Sequence, residues 1–145
     1  MAENILLCVL GTLGFCCVLN APKKHIAYIL LGAFISAGVY EICEKRLMLG
    51  VFSSTLLSAV IVEFYSEIIA RIVKTPATVI LIPAEVPLLP GGYLYYAMTS
   101  LVNKRFDSFA HYAALTVSVA FALAMGAVVC LIVLVGIRRI KERFT

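Results

Sequence analysis

Apolar residues in this chain fall into five long runs separated by short polar and basic stretches. The first covers Ile5 to Leu19 and closes at "NAPKKH"; the second covers Ile26 to Ile42 and closes at "CEKR". The third, Leu47 to Ala70, is followed by "RIVKTP", and the fourth, Ala77 to Val102, by "NKRFD". The fifth, Phe109 to Ile137, runs into "RRIKERFT". A helix that crosses a bilayer needs about 20 predominantly apolar residues, with about 17 to 25 usual. The first two runs lie at or just below that range, and the fifth is long enough to tilt or to project from the bilayer. The pattern predicts an all-α, polytopic membrane bundle of five transmembrane helices, with residues 1–145 forming a single transmembrane domain.

The composition points the same way. Of 145 residues, 63% are hydrophobic and 14% charged, and the mean hydropathy is +1.05. A soluble domain is about half apolar and about a quarter charged. The surplus of apolar surface therefore has to face lipid. The net charge of +4 comes in short basic pairs between apolar runs. With no basic stripe, it is better read through membrane topology than as a nucleic-acid footprint. The first run is not a signal peptide by pattern: Glu3 stands where a basic region belongs, and Lys23 and Lys24 follow the run. A retained first helix is expected.

Loop charges set the expected orientation. With five crossings, one side holds Lys23, Lys24, Arg71, Lys74, Arg138, Arg139, Lys141 and Arg143, eight in all. The other holds Lys45, Arg46, Lys104 and Arg105, four. The chain is thus expected in the cytoplasmic (inner) membrane, with its N-terminus outside and its C-terminus in the cytoplasm. If the fourth run were a re-entrant hairpin, the same residues would divide six to six and the bias would vanish. A true crossing is the better reading.

That fourth run carries the anomaly of the sequence, "IPAEVPLLPGGYLYY" from Ile82 to Tyr96. Pro87 and Pro90 each remove a backbone donor and clash with the preceding turn, and Gly91 and Gly92 leave the backbone angles open. Irregular backbone survives at membrane depth only within protein or beside a water-filled cavity. The fourth helix is therefore expected to be broken, with a second half-helix starting at Tyr93. Its N-terminal amides would point near the midplane, an end that suits an anion such as a solute carboxylate.

Ionisable residues in the apolar runs are the other candidates, since each costs at least about 2.5 to 3.5 kcal/mol at the bilayer centre on insertion scales. Glu63, Glu67 and Arg71 share one face of the third helix at i, i+4 and i+8. Glu67 and Arg71 are expected to form an ion pair near the cytoplasmic end. Glu63 and Glu85 each lie about 7 Å from the middle of their own run, toward that same end. If the bundle brings them together, their mutual repulsion suits them to proton coupling or to binding an ammonium group.

Small residues at four-residue spacing (Gly32 with Ser36, Ala120 with Ala124, Ala122 with Gly126) permit close helix packing. The five cysteines lie mostly in apolar runs and form no CxxC, and His25 and His111 stand alone. Neither a metal nor another cofactor is expected. The serines lack a nearby histidine, no phosphate-binding loop is present, and no enzymatic activity is expected.

The pattern Pro87-x-x-Pro90-Gly91-x-x-x-Tyr95, followed by Ala97-Met98, resembles the signature of the threonine/serine exporter family, in its smaller, second-half module. The resemblance extends over nearly the whole chain: its size, helix count, motif position and basic C-terminal end. It implies export of threonine, serine or a small dicarboxylate such as succinate, driven by the proton gradient, together with a larger membrane subunit. Pro87, Pro90, Gly91 and Tyr95 match the motif directly; Glu63 and Glu85 rest on the physical argument alone. The pathway residues expected are Pro87, Pro90, Gly91, Gly92 and Tyr95. Two alternatives stand beside this reading: a scaffold subunit that does not transport, and a homo-oligomeric channel or carrier acting alone.

Overall fold

The structure is a computed structural model that describes residues 2–143. Its α-helices are α1 (Ala2–Val18), α2 (Ile26–Lys45), α3 (Val51–Val73), α4 (Ala77–Ala84), α5 (Gly91–Val102) and α6 (Phe106–Arg143). Short 3-10 turns cover Lys23–His25 and Val86–Leu88. Among the described residues there is no strand, in keeping with an all-helical membrane protein.

Two helical stretches, Lys23–Lys45 and Phe106–Ile137, are each long and apolar enough to cross a membrane. The pair Ala77–Ala84 and Val86–Val102, bent by 41°, makes a third if it counts as one span. The expected five crossings are thus supported only in part by length and composition. The physical reasons are visible in the other two helices. The apolar part of α1, Glu3–Val18, falls short of a full span, and α3 carries Glu63, Glu67 and Arg71. At 1.5 Å per residue, the 38 residues of α6 extend about 57 Å, well beyond a hydrocarbon core of about 30 Å.

Packing follows the smallest side chains. In α6, Ala122 is fully buried, and a Cβ placed on Gly126 would lie 2.7 Å from the Ala59 Cβ of α3. In α2, a Cβ on Gly32 would lie 2.9 Å from the Ala84 Cβ of α4 and 3.0 Å from the Tyr65 ring. These two small-residue stripes bring backbones together as expected. The third does not: Ala120 and Ala124 are exposed.

Serine hydroxyls reinforce the same packing. Ser58 of α3 donates to the Ser36 carbonyl at 2.6 Å, and the Ser36 hydroxyl shares its one proton between the Ala84 carbonyl and the Ala33 carbonyl of its own helix, each at 3.0 Å. The bond to Ala84 serves a need created by the sequence. In an unbroken helix the Ala84 carbonyl would accept from the amide of Leu88, but that amide turns to Glu85 instead. Ser36 supplies a donor that lipid could not. The result places α4 among α1, α2 and α3, with Ile80 and Ala84 fully buried, while α5 packs mainly on α6. The fourth segment thus passes from the inside of the bundle to its outside.

A candidate transport site at the broken fourth segment

The break is made by local hydrogen bonding and proline geometry. Glu85 caps α4, its amide donating to the Leu81 carbonyl, and the 3-10 turn closes with Leu88 N–H to the Glu85 carbonyl and Leu89 N–H to the Val86 carbonyl. Pro90 then stands as N-cap of α5, which starts at Gly91 and not at Tyr93. Gly91 and Gly92 keep ordinary backbone angles, and a Cβ on either would meet nothing within 4 Å. The glycine pair is therefore not what bends the segment. The prolines are, because Pro87 and Pro90 cannot donate to the helical ladder.

The packing of α4 on α3 sets the two carboxylates of the apolar runs toward each other. Glu63 is one residue past the middle of α3, about 1.5 Å, because that helix runs from Val51 to Val73 and not over the apolar run alone. Its side chain is buried at 8% exposure. Glu85, at the end of α4, lies within reach of the Glu63 charge, and its Oε1 is enclosed without a hydrogen-bond partner. The Ser66 hydroxyl and His25 Nδ1 are likewise enclosed without partners.

A cavity of about 310 Å³ adjoins Glu63. Glu63 and Glu67 of α3, Thr78 of α4 and Cys130, Leu131 and Leu134 of α6 line it. It lies toward the end of the bundle where α3 hands over to α4. At its edge Glu67 pairs with Arg71 at 3.6 Å, with the arginine side chain 56% exposed. An exposed i, i+4 pair of this kind contributes about 0.3 to 0.5 kcal/mol at most.

Of the remaining predicted positions, the two glycines and the tyrosine face outward. Gly91 and Gly92 are exposed, and Tyr95 is 66% exposed, stacked edge-on against Tyr96 with ring centroids 5.6 Å apart. Pro87 and Pro90 are half-buried, Pro87 on a second pocket at the opposite end of the bundle. The polar group around that pocket, Asn4, Tyr40, Glu44 and Lys45, was not expected from the sequence. Its signal was present in Tyr40, Glu41, Glu44 and Lys45, which fall within the last two turns of α2. Among the described residues no group of three or more His, Cys, Asp or Glu side chains could hold a metal ion.

Comparison with known proteins bears on this arrangement directly. Residues 4–133 match the family described as Threonine/Serine exporter, ThrE. No curated protein and no solved structure matches the chain. The match spans most of the 145 residues, so the chain belongs to the threonine/serine exporter family.

Proposed function

We propose that this member of the threonine/serine exporter family is the small subunit of a secondary transporter that exports threonine, serine or a small dicarboxylate such as succinate, coupled to protons. In this reading the chain crosses the cytoplasmic membrane five times with its C-terminus inside, and a larger membrane subunit completes the machine. The observation that carries the proposal is the approach of Glu85, at the bend of the fourth segment, to Glu63, which itself lines a cavity. Two carboxylates sharing a site cannot both ionise cheaply, so a proton or the ammonium group of a solute is favoured between them. The bent pair Ala77–Val102 supplies the hinge across which such a site can be opened to either side.

The test is the double variant Glu63→Gln with Glu85→Gln, assayed for efflux of threonine, serine and succinate from loaded cells across a range of external pH. Export is expected to fall and to lose its pH dependence while the amount of chain in the membrane stays the same. Unchanged efflux with unchanged pH dependence would falsify the coupling role.

A second reading is favoured by one observation: Gly91, Gly92 and Tyr95 face away from this chain's own core. The outer side of the break then serves as the contact for the larger subunit, and the path runs between the two chains. A cysteine placed at Gly92 is expected to cross-link to that subunit and to react with water-soluble thiol reagents. If it reacts only with lipid-soluble reagents and cross-links to nothing, the chain acts as a scaffold whose break faces lipid.

A further inference from the structure

A groove of about 360 Å³ runs along α4 on a different face from the Glu63 cavity. Leu19, Ala21 and Pro22 of the connection from α1 to α2 form one wall, and Val79, Ile82 and Pro83 of α4 form the other. Ile82 is 58% exposed and Leu19 47%, so in a bilayer this apolar wall meets lipid. From Thr78 to Pro83 the groove follows α4 for about 7.5 Å, inward from the end of the bundle. We propose that it seats an acyl chain of an anionic phospholipid whose phosphate headgroup lies against Lys23 and Lys24. The inference needs only that the chain spans a membrane and does not rest on the exporter reading.

Charge decides the kind of lipid. Three short basic pairs stand between the helices, and two of them have carboxylates at hand. Lys45, beside Arg46, pairs with Glu41 at 2.8 Å, and Asp107 follows Lys104 and Arg105 by two residues. The third pair, Lys23 and Lys24, lies in a stretch with no Asp or Glu between Glu3 and Glu41. The connection from α3 to α4 adds Lys74 and no carboxylate. Ala21, Val73 and Ala77 pack against one buried cluster, so the two connections meet at the same end of the bundle. Glu67, the last carboxylate of α3, is taken up by Arg71. Lys23, Lys24 and Lys74 are exposed, and no ion pair among the described residues engages them. A basic cluster at the end of an apolar groove between helices is complementary to an anionic headgroup with its chain attached. A free phosphate would make no use of the apolar walls.

The groove also borders the part of the fold that has least to hold it. The helix α4 has eight residues, with Pro83 among them, and its Thr78 lines both the groove and the Glu63 cavity. A lipid seated against Val79 and Ile82 props that short helix from outside, so binding should raise the melting temperature of the chain.

The test uses the full chain purified in detergent, with phosphatidylglycerol and phosphatidylcholine of matched acyl chains as probes. Bound lipid is read by native mass spectrometry, and stability by thermal melting. Phosphatidylglycerol is expected to bind more tightly and to raise the melting temperature by several degrees more than phosphatidylcholine. Lys23→Gln with Lys24→Gln should weaken phosphatidylglycerol binding on the order of tenfold and remove its extra stabilisation. Both side chains are exposed, so the lipid-free variant should melt as the unaltered chain does. Ile82→Trp fills the groove and should lower the binding of both lipids. Lys104→Gln with Arg105→Gln, at the other end of the bundle, should leave binding unchanged. Equal affinity for the two lipids, equal loss from the Lys104 and Arg105 pair, or displacement of the lipid by inorganic phosphate overturns the inference. So does full binding by the Ile82→Trp chain, which would put the lipid outside the groove.

Discussion

Gly126→Leu is expected to remove most of the folded chain from the membrane. A Cβ at position 126 would already lie 2.7 Å from the Ala59 Cβ and 3.4 Å from the Val60 amide nitrogen. Neither neighbour is the flexible end of a long side chain, so the only relief is for α3 and α6 to part. Overpacking a tight core costs about 1 to 3 kcal/mol even when some adjustment is possible, and a leucine side chain pressed against a backbone allows little. Once parted from α6, α3 would also be free to turn away from α4, taking Glu63 from Glu85. The measurement is the amount of chain in purified membranes together with its thermal melting in detergent. Gly136→Leu serves as the control, because a Cβ there meets nothing within 4 Å. Gly126→Ala should fall between the two. If Gly126→Leu accumulates and melts as Gly136→Leu does, the packing of α6 on α3 described above is wrong.

The seating of α6 on α3 was half legible in the sequence. The small-residue spacing marks Ala122 with Gly126 and Ala120 with Ala124 equally, yet only the first pair is buried. Spacing says that a face is smooth, and only the neighbouring helices decide which smooth face is used. The break was legible for a different reason: proline acts through its own covalent ring, whatever surrounds it. Its detail was not. Gly91 and Gly92 suggested unusual backbone angles, but both take ordinary helical ones, and α5 begins two residues before the expected Tyr93.

The approach of Glu63 to Glu85 could be posed from sequence but not decided. Residue counting gives depth along a helix and nothing about its rotation or its neighbours. Even the depth shifted, because α3 begins at Val51 and continues through "RIV" to Val73. Ser36 was visible only as a small residue. Its partner across the helices is the Ala84 carbonyl, a backbone atom with no signature of its own. The number of crossings stayed open for a related reason, since α1 is short for a span and the fourth segment is divided.

The pair Pro87→Ala with Pro90→Ala is expected to abolish export while leaving the chain inserted, whereas Gly91→Ala with Gly92→Ala is expected to be nearly silent. In a helix interior proline is about 3 kcal/mol less favourable than alanine. Replacing both restores two backbone donors and shifts the balance toward one continuous helix from α4 into α5. Straightening the 41° bend has consequences that follow from the hydrogen bonds now in place. The Leu88 amide would return to the Ala84 carbonyl and displace the Ser36 hydroxyl, which now holds that carbonyl at 3.0 Å. Leu88 and Ala84, both in the core with Ala59 and Val62, could not both stay there while Glu85 keeps its place opposite Glu63. The straight helix would still be apolar and long enough to cross, so insertion has no reason to fail. The glycines lie in the first turn of α5 with open space around them, so alanine there changes little except helix propensity, about 1 kcal/mol each in favour of α5. Efflux of threonine, serine and succinate, normalised to the amount of chain in the membrane, separates the two pairs. Normal export by the double proline variant would mean that the bend is dispensable and that transport does not depend on the relation of α4 to α5.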